Sequence, residues 1–326
     1  MAKQAVAPLQ SASREAGHRP LNLDEQTERD KVSILVTEST FGEHTRARNE
    51  GCTMVNYGFI LVPLYIYPLP GAWDGLFNVA KTFPSVTFQV VINPDTGPGE
   101  SACSNSDFIT SMAELNSNLQ HPNTRMCSHR CKFRLWTRNL DLPCHTATQP
   151  QSALENNITK YQNWNSAGKC TDADVHIDGI FFDEAPSDTN ATTYMSDITS
   201  FAKSTLTRGS TVLFNAGQAM DPAYWSIADY INVLEDTEVA YDGADIGALN
   251  GEGEFHAQTT IILHDYASGP TILERDVSTI LSTTRDAMAG LYITDLDVYN
   301  KLPTNFTGFA REVAKVVAAN TAAVAR

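Results

Sequence analysis

The chain has 326 residues, 42% apolar and 19% charged, an ordinary globular balance with enough length for one large core or two ordinary domains. A formal charge of −15 argues against a nucleic-acid partner, because a phosphate backbone calls for a Lys/Arg surface; it suits a neutral or cationic ligand, or solubility alone. No stretch approaches the ~20 apolar residues that span a bilayer, and the N-terminus lacks a secretory leader pattern.

Residues 1–57 are polar, charged and without periodicity, and read as a poorly ordered tail. The apolar run Phe59–Tyr67 reads as a buried strand, with a bulge expected at Pro63 because proline withholds a ladder donor. Trp73–Phe83 has helical spacing. Val86–Ile92 is a second strand, and residues 107–118 form a helix capped by Ser106 or Asp107. Helices are expected over 153–164, 192–206, 221–228, 271–288 and 306–319. Strands are expected over 176–182, 211–215, 230–234, 259–263 and 290–294.

Seven strands alternating with helices call for a parallel sheet, and an eighth is missing between the helices at 107–118 and 153–164. A doubly wound sheet would want a glycine-rich phosphate cradle after the first strand, which Pro68-Leu-Pro-Gly-Ala72 does not supply. The expected fold is therefore a single (β/α)8 barrel over residues 58–322, with an atypical third-strand region at about 124–150. That region holds Cys127, Cys131 and Cys144 with a local basic excess, and reads as a loop, an edge element or a mistranslated segment. Cys127, His129, Cys131, Cys144 and His145 match no common zinc spacing. Cys52, Cys103 and Cys170 complete a set of six, compatible with one or two bridges in an exported protein. Asn157-Ile-Thr, Asn190-Ala-Thr and Asn305-Phe-Thr are glycosylation sequons.

In such barrels the working residues sit at the C-terminal strand ends. Those ends carry Asp183-Glu184, Asn215, Glu235-Asp236, His264-Asp265 and Thr294-Asp295, more polar groups than helix capping requires. Each also has a plainer reading: Asp183 or Glu184 as a helix cap, Asn215 as a turn residue, Glu235 as a solvated acid and His264 as a structural histidine. Strands four and six lie roughly 9–10 Å apart, so their carboxyls can stand about 5 to 9 Å from each other, a range spanning retaining and inverting glycosidases. Tyr65, Tyr67, Trp73, Trp225 and Tyr292 are aromatic groups suited to sugar faces, and about two of them should face a ligand. Motifs for metal hydrolysis or a serine nucleophile are missing, and the chemistry calls for no cofactor or metal.

Four segments carry a family resemblance: Val62-Pro-Leu-Tyr-Ile-Tyr-Pro68 with Trp73, Asn93-Pro94 with Gly97-Pro-Gly99, Ile158–Trp164, and Asp178-Gly-Ile-Phe-Phe-Asp-Glu-Ala-Pro186. Over about residues 59–320 the chain resembles the spherulin 4 family. The resemblance implies a (β/α)8 glycoside hydrolase cutting galactosaminogalactan, an α-1,4-linked polymer of galactose and (N-acetyl)galactosamine. It implies Asp183 as the catalytic aspartate with Glu184 beside it, Asn215 as a substrate contact and Glu235 as the second acid. Asp183 would be nucleophile or charge stabiliser, Glu235 general acid/base, and Glu184 a supporting or substitute acid. Apart from the resemblance, strand-end position and aromatic character make His264, Tyr65, Tyr67, Trp225, Tyr292 and Asp295 the expected lining of the substrate site. The family's Gly-Tyr-Val-like third strand is not visible here. Family members are exported or tethered to the cell surface, which is the expectation for this chain. A carbohydrate-binding or spore-wall protein on the same barrel is the rival, and a structurally compromised product the third reading. Oligomeric state is not legible.

Overall fold

Eight strands close on themselves in the computed structural model, which describes residues 34–35, 58–94, 98, 101–117, 135–138, 147, 149–165, 170–282 and 287–324. The chain divides into 1–30 and 31–326, and every described residue belongs to the second part. The barrel strands are β1 (Phe59–Leu64), β2 (Thr87–Ile92), β3 (Leu135–Arg138), β4 (Gly179–Asp183), β5 (Thr211–Asn215), β6 (Tyr230–Thr237), β7 (Thr259–His264) and β8 (Gly290–Ile293). Each pairs in parallel with the next, and β8 pairs with β1 to close the ring. Ile34–Leu35 lies antiparallel to β2 and β4. Apart from these two residues the expected tail lies outside the described residues, as do all five zinc candidates and Cys52.

The missing strand is β3. It lies inside the anomalous segment but is neither loop nor edge, since it pairs with β2 on one side and β4 on the other. Four residues are too short a run to show periodicity. The bulge expected at Pro63 is not there: Pro63 sits opposite Val91 in an unbroken β1–β2 ladder. Pairing on the other flank covers only Phe59 and Ile60, so the missing donor falls where β1 has one neighbour. The sheet's irregularity lies instead in β6, where the register with β7 slips between Asn232 and Leu234.

The helices are α1 (Asp74–Thr82), α2 (Ser106–Ser117), α3 (Gln151–Trp164), α4 (Thr192–Thr205), α5 (Glu238–Asp242), α6 (Ile246–Leu249), α7 (Pro270–Leu281) and α8 (Phe306–Val324). Their buried faces follow the 3.6-residue period, as in Leu154, Ile158 and Tyr161 of α3 or Met195, Ile198 and Ala202 of α4. The cap of α2 is Asn105, whose Oδ1 accepts from the N–H of Asp107 and Phe108, rather than Ser106 or Asp107. Residues 222–226 form a 3₁₀ turn instead of a longer helix, and α7 stops at Leu281. A disulfide joins Cys103, ahead of α2, to Cys170, ahead of β4.

The chain enters β4 through a buried polar knot. His176 Nδ1 lies 2.7 Å from Asp174 Oδ1, and its Nε2 lies 3.4 Å from Asp178 Oδ1. Asn116 donates to the carbonyls of Asp174 and His176. Burial pushes the imidazole's pKa down, but the hydrogen bonds and charges of Asp178 and Asp174 outweigh it and leave it above its ordinary value. A histidine raised in this way contributes stability that is complete below its unfolded value of about 6.5 and fades as pH rises through the higher folded value. His176→Gln is expected to lose more stability at pH 5 than at pH 9 in urea unfolding; equal losses would show that the imidazole is neutral in this knot.

Candidate active site

Three neighbouring strands bring three of the predicted residues, Asp183, Asn215 and Glu235, to one point. Asp183 ends β4, Asn215 ends β5 directly opposite it, and Asn232 of β6 stands opposite Asn215. Side chains at one level of a parallel barrel share a face, so these three project inward together. The Asn215 Nδ2 amide donates to Asp183 Oδ1 at 2.6 Å and to Glu235 Oε2 at 2.6 Å. Those two oxygens therefore stand no more than twice 2.6 Å, or 5.2 Å, apart.

Glu235 is three residues beyond Asn232, and strict alternation would turn it to the opposite face. The register slip between Asn232 and Leu234 absorbs one residue, so both side chains meet Asn215. Gly217 completes the joint: its N–H donates to the Asn232 carbonyl, and its own carbonyl accepts from the Glu235 N–H. Its φ is +64°, a left-handed backbone that favours glycine, while a Cβ there would make only ordinary contact with the Glu235 Cβ.

A chain of buried side chains fixes which way the Asn215 amide points. Thr260 Oγ1 donates to Asn232 Oδ1 at 3.2 Å, and Asn232 Nδ2 donates to Asn215 Oδ1 at 2.7 Å. With its oxygen occupied by a donor, Asn215 can turn only its NH₂ toward the acids. Glu235 Oε1 accepts from the Tyr299 hydroxyl at 2.7 Å. Asn232, Thr260 and Tyr299 were missed by the sequence reading. The first two look like ordinary strand residues, and Tyr299 lies several residues past the end of β8.

The remaining predicted residues divide. Asp183 is buried and accepts the backbone N–H of Glu184 through Oδ1. Glu184 is exposed at φ +50°, outside the cluster, and the next turn is capped by Asp188 rather than by either acid. Tyr65 packs edge-on against Tyr299, with ring centroids 5.6 Å apart, and borders the cluster. Tyr67 is exposed, its hydroxyl bonded to Asp107 Oδ2, and that bond raises its pKa first among the causes. His264 ends β7 with Nδ1 2.8 Å from Asp265 Oδ2, and Asp265 is held at φ +49°. Non-glycine residues at positive φ on two strand ends mark backbone strain of the sort that gathers at functional rims.

Three aromatics are unavailable to a ligand at this rim. Trp225 stacks face to face on Phe255 and accepts Gln258 on its carbonyl, next to the entries of β6 and β7 at the opposite end of the strands. Tyr292 is buried between Tyr299 and Phe309, and burial raises its hydroxyl pKa strongly. Trp73 is a core residue whose indole N–H donates to the Ile66 carbonyl. Asp295 does not reach the cluster, because its Oδ1 accepts the Thr304 N–H and closes the loop that carries Tyr299.

Asn215→Asp would place a third carboxylate against two others. Thermal unfolding of that variant is expected to show a loss of about 3 kcal/mol at pH 7 that largely recovers near pH 4, as protonation relieves the repulsion. A loss independent of pH would mean the three groups are not in mutual contact.

Residues 59–313 match the model of spherulation-specific family 4 (Spherulin4). No curated protein matches the chain. Among solved structures it is similar to Sph3 of Aspergillus clavatus, determined as a crystal structure in complex with GalNAc. The two share 27% sequence identity and a TM-score of 0.65, over 79% of this chain and 98% of Sph3. The family match spans well over half the residues and every strand of the barrel, and the chain belongs to spherulation-specific family 4.

Proposed function

We propose that this protein is a glycoside hydrolase acting on a polysaccharide that contains galactosamine or N-acetylgalactosamine, with Asp183 as nucleophile and Glu235 as general acid/base. The observation that carries the reading is the carboxylate pair held by one amide at the barrel's C-terminal rim. Glycoside cleavage needs one carboxylate to meet the cationic centre and one to protonate the leaving oxygen. A nearest-oxygen separation of at most 5.2 Å suits retaining chemistry, whose carboxyls stand roughly 5–5.5 Å apart, better than the roughly 6.5–9.5 Å that admits a water in inverting enzymes.

Substrate class is supported by the similarity to Sph3, whose structure holds GalNAc, and by the family resemblance to galactosaminogalactan hydrolases. A formal charge of −15 favours a partly deacetylated, cationic polymer. The Cys103–Cys170 disulfide fits an oxidising compartment, so we place the protein outside the cell or on its surface. Exposed Asn190 and Asn305 would be open to glycosylation there. Tyr67, exposed and fixed by Asp107, is our choice for a ring against which a sugar stacks.

Release of reducing ends from galactosaminogalactan tests the reading. Asp183→Asn and Glu235→Gln should each lower the rate by at least about 100-fold without unfolding the barrel. Nuclear magnetic resonance of the first-formed product should show the anomeric configuration of the substrate. A folded parent that binds the polymer without cleaving it would make this a carbohydrate-binding barrel instead.

A further inference from the structure

We infer that Tyr299 is a positioning residue for Glu235, an inference that rests on the proposed role of Glu235 as general acid. Asn215 grips the glutamate by one oxygen only, and a carboxyl held at one corner can still swing about that contact. The Tyr299 hydroxyl takes the other oxygen at 2.7 Å, so Glu235 is held from two sides, by β5 and by the loop after β8.

The tyrosine is itself held. Its ring meets the edges of Tyr65 at 5.6 Å and Tyr292 at 6.2 Å, at interplanar angles of 89° and 63°. Its loop is tied at both ends. The Thr304 N–H donates to Asp295 Oδ1, and the Asp265 N–H donates to the Leu296 carbonyl. Asp295 thus acts on the cluster through Tyr299 rather than by touching a sugar. Burial, then the Glu235 charge and the hydrogen bond to it, push the phenol well above its ordinary range, so the hydroxyl keeps its proton and can donate to the ionised glutamate.

An acid that must deliver its proton along one direction loses rate when its carboxyl is free to turn. Tyr299→Phe keeps the ring and removes only the donor. On galactosaminogalactan it should lower kcat by about 10- to 100-fold with KM changed less than about twofold, the loss expected for one hydrogen bond to a charged group. Removing a donor from a carboxylate also favours its protonated form, so the basic limb of the pH–rate profile should move to higher pH. A purely structural tyrosine would leave that limb in place. An unchanged kcat and limb overturn the inference, and so does a raised KM with kcat intact, which would make Tyr299 a sugar contact.

Ultraviolet titration of the tyrosines checks the pairing without any activity. Glu235→Gln should bring one tyrosine's ionisation to lower pH, and that change should vanish when Tyr299→Phe is added. A parent that titrates this way but cleaves no polymer removes the hydrolase reading and Tyr299's role with it. An active parent whose titration ignores Glu235→Gln removes the Tyr299 inference alone.

Discussion

One amide nitrogen organises this site. Asn215 Nδ2 has two hydrogens and spends one on each carboxylate, which holds Asp183 and Glu235 close together without a positive charge between them. A lysine or arginine in that place would bind both acids as salt bridges and weaken their grip on a developing cation. A neutral donor orients them and leaves their charge free for a ligand. The arrangement works only if the amide cannot flip, and that is the task of Asn232 and Thr260, both fully buried. A flipped Asn215 would turn its oxygen toward two carboxylates and leave two donors facing each other.

That demand reaches back into the sheet. Asp183, Asn215, Asn232 and Thr260 lie on four successive strands, each directly paired with the next. Parallel strands of a barrel bring such residues to one level, so a polar row can cross the interior without breaking a backbone hydrogen bond. Glu235 is the exception. It reaches the row from the next level up because β6 carries an extra residue, and Gly217 fits against the bend. The same region holds the register slip in β6 and the left-handed backbone at Glu184 and Asp265.

The sequence made part of this legible. Uninterrupted apolar runs marked the strands, and acids straight after such runs marked the rim, because a carboxylate has no reason to follow a buried strand unless it meets solvent or a ligand. Asp183, Asn215 and Glu235 were among the polar strand-end residues picked out in this way, together with Glu184, Asp236, His264, Asp265 and Asp295. What stayed hidden has physical causes. β3 is four residues long, below the reach of a period of two, and it is recognisable only by the slot its neighbours leave. Asn232 and Thr260 are interior to their strands, where polar residues are ordinarily discounted. Trp225 and Tyr292 were selected by residue type, and type does not tell which end of a strand a ring packs against.

The two carboxylates are held by different kinds of support, and the difference bears on their roles. Asp183 takes its donors from Asn215 and from the adjacent backbone N–H of Glu184, both part of the rigid strand ends. Glu235 shares the amide but leans on Tyr299, whose hydroxyl oxygen can accept as readily as its hydrogen can donate. When Glu235 carries a proton, the phenol can turn and accept it; when Glu235 is ionised, the phenol donates. A partner able to serve both protonation states suits the role proposed for Glu235, an acid that would first give a proton and then remove one from water. The nucleophile role proposed for Asp183 asks for no such change of protonation state.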